Sequence, residues 1–146
     1  MKYTFLFFAL FFVFACGERQ SAKAPTEVIE IELPEDFETF YKRFHRDSAF
    51  QMDHIIFPLE GVPANAASRG IDLESFRWEK EDWVIHKEFD LGTQYQRNFT
   101  LGFENTVILE NIQHKTSGFG ILRRFVKTGE DYFLIYYADM NQIREK

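Results

Sequence analysis

The sequence predicts an α+β domain in which amino-terminal helices pack on a strongly curved antiparallel sheet. Aromatic residues recur at helical spacing between residues 37 and 44, and the second half of the chain holds several runs in which apolar and polar residues alternate, as in strands. The last two runs flank a turn at residues 128–131, as the strands of a hairpin do. Helices grouped ahead of a meander of strands are typical of the α+β class, because an α/β domain would interleave them.

The chain begins with a segment typical of an export signal. Lys2 precedes an uninterrupted apolar run at residues 3–15, which is shorter than the roughly 20 residues that a spanning helix needs. The last residues of that run and Cys16 resemble a lipobox, where a bacterial lipoprotein is acylated on its cysteine and cleaved just before it. We therefore expect residues 1–15 to be a signal peptide and Cys16 to be the lipidation site. The alternative is an ordinary secretory signal with a chance cysteine near its cleavage site.

The composition that remains after cleavage bounds the function. The chain has one cysteine, which excludes an intramolecular disulfide, and without residues 1–15 it has 16 basic and 23 acidic side chains, a net charge of −7. Such a chain has no attraction for polyphosphate, so we expect no nucleic-acid partner. We predict a lipidated cysteine and flexible tether at residues 16–34, one domain at 35–140 and a tail at 141–146. Residues 27–34 alternate and predict either a short edge strand or an extended unpaired segment.

Two helices are predicted at the start of the domain. The first has acidic residues in its first turn and basic residues in its last, which complements the helix dipole. Its apolar stripe at i, i+3, i+4 and i+7 consists of Phe37, Phe40, Tyr41 and Phe44. Asp47 is placed to cap a second short helix over residues 49–52.

The remainder is predicted to be mostly β. A short helix after Asp72 is also expected. The predicted strands cover residues 54–59, 83–89, 93–103 and 106–112, followed by the terminal hairpin within 118–140. Gly129 supplies the positive φ that the hairpin turn needs. The last strand is apolar on both faces, which predicts a central strand covered on both sides.

Three stretches, at residues 40–61, 77–83 and 132–140, resemble a family of Gram-negative lipoproteins defined by a domain of unknown function. The resemblance extends over roughly residues 36–140. It implies a nuclear-transport-factor-two-like cone, similar also to the cystatin arrangement of helices on a curved sheet. It also implies a cell-envelope location, with a lipid anchor in the inner or outer membrane, and no established activity.

Eight side chains are candidates for ligand binding: Tyr41, His54, Trp78, Trp83, Tyr95, Arg97, Arg123 and Arg124. The two tryptophans would line a mouth for a sugar or an aromatic group, or else anchor the core on either side of residues 79–82. The adjacent arginines put one guanidinium on each face of a strand. An inward one would need a carboxylate partner or an anionic ligand, whereas the alternative is an arginine with its head in water.

The histidines suggest weaker hypotheses. His54 would serve as a base only with a partner, and Asp53 is poorly placed because adjacent strand residues point to opposite faces. His54 is otherwise a polar residue at the strand entrance. His45 and His54 could bind a metal together with Asp47 or Asp53, but such a site needs three or four convergent ligands and the sequence has no H-x-x-x-H, H-x-H or cysteine partner there. We predict no metal, no cofactor and no catalytic residue.

Three function classes stay open. The first is a non-catalytic domain that binds a small ligand or peptide in its concavity, and the second is an accessory or structural lipoprotein that docks on an envelope partner. The third is an enzyme of the isomerase or dehydratase type that shares the cone fold. A closed interior would disfavour ligand binding inside the cone, and two titratable groups converging in a cavity would favour catalysis.

Overall fold

The computed structural model describes residues 31–143. The predicted signal peptide, Cys16 and the first part of the predicted tether lie outside the described residues. The elements are helix α1 (Glu35–Phe44), helix α2 (Ser48–Asp53), strand β1 (Ile55–Val62), helix α3 (Ala66–Arg69), strand β2 (Arg77–Trp78), a 3-10 turn (Lys80–Asp82), and strands β3 (Tyr95–Gly102), β4 (Val107–His114), β5 (Phe119–Thr128) and β6 (Asp131–Gln142).

Six strands form one sheet in the order β2-β1-β6-β5-β4-β3, and the predicted α+β class is confirmed. Four of the five pairings are antiparallel, as expected, but β1 and β6 are parallel. The sheet is therefore mixed. A parallel pair needs a long connection, and here that connection contains β2 to β5. Register shifts interrupt the β1–β6 and β5–β6 ladders, and bulges of this kind bend and twist strands.

Helix α1 packs its aromatic stripe on the concave face of the sheet, as predicted. Phe37, Phe40, Tyr41 and Phe44 are all buried. Each of the four rings lies within 6.2 Å of the ring of Phe125 on β5. Asp47 accepts a hydrogen bond from the backbone of Phe50 at 3.0 Å, which confirms the predicted cap of α2.

The predicted strand at residues 83–89 is absent from the described structure. The backbone of His86 is bonded on both sides by the side chain of Gln51: its N–H donates to Oε1 and its carbonyl accepts from Nε2, both at 2.7 Å. A side chain thus satisfies the groups that a neighbouring strand would have used. The predicted helix after Asp72 is only a turn, in which Asp72 accepts from the backbone of Glu74 at 3.1 Å.

Strand β6 is central, lying between β1 and β5, as predicted. Its second face is less covered than expected, since Phe133, Ile135 and Tyr136 are only half-buried. The strand also runs to Gln142, two residues past the predicted end of the domain. Within residues 31–143 no helix has the length and apolar character needed to cross a bilayer.

Candidate functional site

A group of side chains, which we call the charged row, crosses the face of the sheet that α1 covers. Its centre is Glu110 on β4, and its other members are Arg123, Arg97 and Tyr41. Glu110 alternates with Ile108 and Ile112, so it shares their inward face, and its residue exposure is 0%. Arg123 lies directly opposite on β5 and donates from Nη1 to Oε2 at 2.8 Å. From α1, the hydroxyl of Tyr41 donates to Oε1 at 2.6 Å. The carboxylate is therefore held from both the sheet and the helix.

Arg97 on β3 joins the same row from the side. Its Nε lies 3.0 Å from Oε1 of Glu110, but the N–H is not directed at that oxygen, so the contact is an ion pair without a hydrogen bond. Its outer nitrogens make longer contacts: Nη1 lies 3.5 Å from Oε1 of Glu88, and Nη2 donates to the carbonyl of Phe89 at 3.3 Å. One buried carboxylate is thus shared by two guanidinium groups.

The electrostatics of the row follow from burial and from this pairing. Arg123 is 3% exposed; burial acts to lower its pKa, but Glu110 and Tyr41 outweigh it and raise the pKa, so the guanidinium stays charged. Burial, and then the neighbouring charge of Glu110, raise the pKa of Tyr41 well above its ordinary value. Tyr41 is therefore a neutral hydrogen-bond donor at physiological pH and a very weak acid.

Two histidines border the row. His45 is buried, and its Nδ1 donates to the carbonyl of Tyr41 at 2.9 Å, while Nε2 has no hydrogen-bond partner within residues 31–143. The ring of His86 lies 4.4 Å from the rings of both Trp83 and Tyr137, and its Nδ1 also lacks a partner in that part of the chain. Burial, and then the charge of Arg123, lower the pKa of His86 to about 3. Burial is also the main cause that lowers the pKa of His45.

Gln51 joins the end of α1 to Trp83 and His86, and sequence reasoning missed it: its Nε2 donates to the carbonyl of Phe44 at 2.7 Å. It is fully buried, and its Oε1 accepts from Nε1 of Trp83 at 3.2 Å as well as from the backbone of His86. Glu110 was also missed. The signal that points to Glu110 is in the sequence, because a carboxylate between two inward isoleucines of a strand must be paired if it is buried.

Trp78 lies at the β2 end of the sheet, where its Nε1 donates to the carbonyl of Tyr137 at 3.0 Å. Gly61 on β1 makes this approach feasible, since a Cβ there would overlap that carbonyl oxygen and the indole nitrogen. An open cleft of about 370 Å³ lies beside Trp78 and is also lined by Phe76, Arg69 and Asp139. Trp78 therefore both anchors the sheet and borders a surface cleft.

The other candidates do not join the row. His54 stacks on Phe50 with ring centres 3.8 Å apart, and its Nδ1 donates to the carbonyl of that residue at 2.7 Å. Arg124 points to the other face of the sheet, over the ring of Tyr136 at 5.1 Å. Tyr95 packs edge-on against Phe89 at 5.0 Å.

Among the sequence candidates, the structure brings together Tyr41, Arg97 and Arg123 around Glu110, whereas Trp83 is hydrogen-bonded to Gln51 instead. The alternative of an arginine head in water is wrong for Arg123. The carboxylate partner that an inward arginine requires is Glu110.

A second open cleft lies between α1 and β3 and reaches the outer side of the row. Its volume is about 160 Å³, and its apolar wall includes Leu33, Phe37 and Phe99. Its polar lining includes Tyr41, Arg97 and Glu88. Within residues 31–143 no group of three His, Cys, Asp or Glu side chains is arranged to hold a metal ion.

Comparison with known proteins adds a family. A protein-family model matches residues 35–122, well over half of the chain. The chain belongs to the family that this model defines. The match runs from the start of α1 into β5, so it includes Tyr41, Arg97 and Glu110 and ends one residue before Arg123.

Two chains among the solved structures match this chain. A crystal structure of an NTF2-like protein from Bacteroides fragilis is 18% identical, with a TM-score of 0.49, over 79% of this chain and 50% of that chain. The chain thus spans about half the length of that structure. No curated protein matches the chain.

Proposed function

We propose that this protein is a non-catalytic binding domain of the Gram-negative cell envelope, held at a membrane by lipid on Cys16, which takes a small ligand or a protein partner at its surface. The observation that supports this proposal is the closure of the charged row. Tyr41, Glu110 and Arg123 are at most 8% exposed and are bonded to one another. Tyr41 and Arg123 each donate to Glu110 in the interior, which stabilises one packing and leaves binding to the open clefts, although Nε of Arg123 has no hydrogen-bond partner within residues 31–143.

An enzyme of the cone-fold isomerase or dehydratase type is the alternative. The observation in its favour is that a phenol and a carboxylate meet at 2.6 Å beside two arginines. Proton transfer to a substrate requires access and a suitable pKa, however. Glu110 is fully buried among three partners, and the raised pKa of Tyr41 makes it a poor acid. We therefore favour binding.

An accessory role on an envelope partner is supported by a different feature. Phe103, at the tip of the β3–β4 hairpin, is 84% exposed. Phe103, Glu104 and Asn105 all have positive φ, at 47°, 55° and 66°, although none is glycine. Such backbone conformations cost about 1 kcal/mol or more each, so their occurrence around an exposed ring favours a contact with another molecule.

The membrane anchor has a direct test. We expect the full chain, expressed in a Gram-negative host, to lose residues 1–15, to gain acyl mass on Cys16 and to sediment with membranes. Cys16→Ser should remove the acyl mass and release the protein from the membrane fraction. Intact protein that retains Met1 and carries no acyl group would contradict the anchor.

The binding role is tested on the mature chain, residues 16–146, produced in the cytoplasm so that Cys16 stays unacylated. We expect a thermal-shift screen of small acids, sugars and amines to raise the unfolding temperature with at least one class. If no class raises the unfolding temperature, docking on a protein partner replaces ligand binding as the proposal. Docking is then tested with Phe103→Ser in a pull-down from envelope extracts.

A further inference from the structure

Arg97 carries unused hydrogen-bonding capacity at the floor of the 160 Å³ cleft between α1 and β3. A guanidinium has five N–H donors. Within residues 31–143 its hydrogen bonds are the two long ones, at 3.5 Å to Glu88 and 3.3 Å to Phe89, and Nε has none. Charge-assisted bonds of well-matched pairs are about 2.7 to 2.9 Å. The protein itself therefore leaves this arginine incompletely paired.

The charge around Arg97 is also incompletely balanced. Arg97 and Arg123 share the single carboxylate of Glu110, and the better geometry belongs to Arg123, at 2.8 Å. The second carboxylate near Arg97 is that of Glu88, whose side chain is 60% exposed. An exposed ion pair at 3.5 Å is weak and is easily replaced. The side chain of Arg97 is itself only 15% exposed, so an incoming anion would meet it in a partly dehydrated setting.

The walls of the cleft define the rest of the ligand. Leu33, Phe37 and Phe99 supply an apolar lining, and at the rim Lys42 is paired with Glu38 at 3.9 Å, so the two offset each other. A planar carboxylate matches the fork of a guanidinium in two parallel hydrogen bonds. The volume is below the roughly 300 Å³ that drug-sized ligands occupy, which limits the ligand to a small molecule or to one end of a larger one.

We propose that this cleft binds the carboxylate of a small apolar acid, which displaces Glu88 from Arg97 and packs its apolar body against Leu33, Phe37 and Phe99. The proposal rests on the binding function proposed above and names its ligand class. Two sources share this chemistry, namely a free aryl or alkyl acid and a peptide that ends in an apolar residue with a free carboxylate.

The test is a titration of the unacylated mature chain, residues 16–146, with benzoate, followed through the NMR signal of the Arg97 Nε–H. We expect saturable binding that shifts this signal. Benzamide, which has the same shape without the charge, should bind at least about tenfold more weakly. Ala-Ala-Phe and its carboxyl-terminal amide separate the two sources: tighter binding of the free tripeptide than of benzoate identifies a peptide end, and the reverse order identifies a free acid.

Two charge-matched variants make the test specific. Glu88→Gln removes the competing carboxylate from an exposed position and should tighten benzoate binding about two- to threefold. Glu38→Gln makes the same charge change in the same cleft without touching Arg97, and should have a smaller effect. Arg97→Gln should abolish binding, and Arg97→Lys, which keeps the charge but loses the fork, should weaken it; thermal melts of both check that the fold is retained.

Three results would overturn the proposal. These are equal affinities for benzoate and benzamide, equal effects of Glu88→Gln and Glu38→Gln, and the absence of saturable binding by both the acid and the peptide. If the acids fail while the wider screen finds another ligand, this inference falls and the binding function stands. If no class binds, this inference falls, and the proposed function is reduced to docking on a protein partner, which the Phe103→Ser pull-down tests separately.

Discussion

Replacing Glu110 with glutamine is expected to lower the free energy of unfolding by about 3 to 5 kcal/mol, the cost of removing one partner from a buried ion pair. The substitution keeps the size of the side chain, so it opens no cavity. It leaves the guanidinium of Arg123, which is 3% exposed, without the carboxylate that accepts its hydrogen bond at 2.8 Å. Arg97 loses the same partner, but it still has Glu88 at 3.5 Å and is less affected.

The assay is urea denaturation of the unacylated mature chain, and a double variant supplies the control. A domain of this size is stable by about 5 to 15 kcal/mol, so the predicted loss is a large shift of the midpoint. Replacing both partners, Glu110→Leu with Arg123→Met, removes the two most buried charges together and leaves Arg97 paired with Glu88, and buried pairs replaced in this way are often neutral or stabilising. We expect the double variant to be at least about 2 kcal/mol more stable than Glu110→Gln. A loss below about 1 kcal/mol for the single variant, or a double variant no more stable than the single, would refute the idea of a closed ion network.

Three further outcomes are expected. Because burial lowers the pKa of His86 to about 3 against about 6.5 in the unfolded chain, the unfolded state binds the proton more tightly. Stability should therefore fall as the pH drops below about 6.5, by about 2 kcal/mol at pH 5, and His86→Gln should flatten this dependence in urea midpoints. Phe40→Ala should cost about 3 to 5 kcal/mol in the same assay, because it empties a core site. His54→Ala should cost less, and the reverse order would contradict our assignment of core and border. Gly61→Ala should lower the melting temperature and broaden the indole Nε1–H signal of Trp78, since the added methyl group collides with the indole and the carbonyl beneath it; an unchanged signal would contradict this packing.

The parts of the fold that the sequence predicts are those set by local spacing. Helix α1 follows from four aromatic residues on one face, and β6 follows from an apolar run after a glycine turn. The parallel pairing of β1 with β6 is not encoded locally, because it joins residues 76 to 79 positions apart, about two thirds of the described residues 31–143. The strand predicted at residues 83–89 fails for a related reason: the partner of its backbone is the side chain of Gln51, 35 residues away.

The candidate site shows the same limit. Strand alternation puts one of Arg123 and Arg124 on the inward face without indicating which, and the carboxylate that pairs with it depends on which residues of β4 face β5. That register pairs Glu110 with Arg123. Tyr41 could not be assigned to the same group from the sequence, since its position depends on how α1 crosses the sheet. Individual residue types were therefore predictable, whereas their convergence was not.

The charged row links the register of the sheet to the cleft at its edge. A one-residue slip of β4 against its neighbours would turn Glu110 to the opposite face and leave Arg123 buried without a partner, so the ion pair penalises the wrong register. Tyr41 donates to Oε1 of Glu110 and Arg123 donates to Oε2, whereas the Nε–H of Arg97 lies 3.0 Å from Oε1 without being directed at it, so Arg97 makes no hydrogen bond to Glu110. The hydrogen-bonding capacity that Arg97 keeps is thus a consequence of how the interior is closed, and Arg97 lines the apolar cleft between α1 and β3. We therefore expect Glu110→Gln to destabilise the fold and, per folded molecule, to tighten benzoate binding. Both effects follow if the carboxylate of Glu110 and a ligand in the cleft compete for the guanidinium of Arg97.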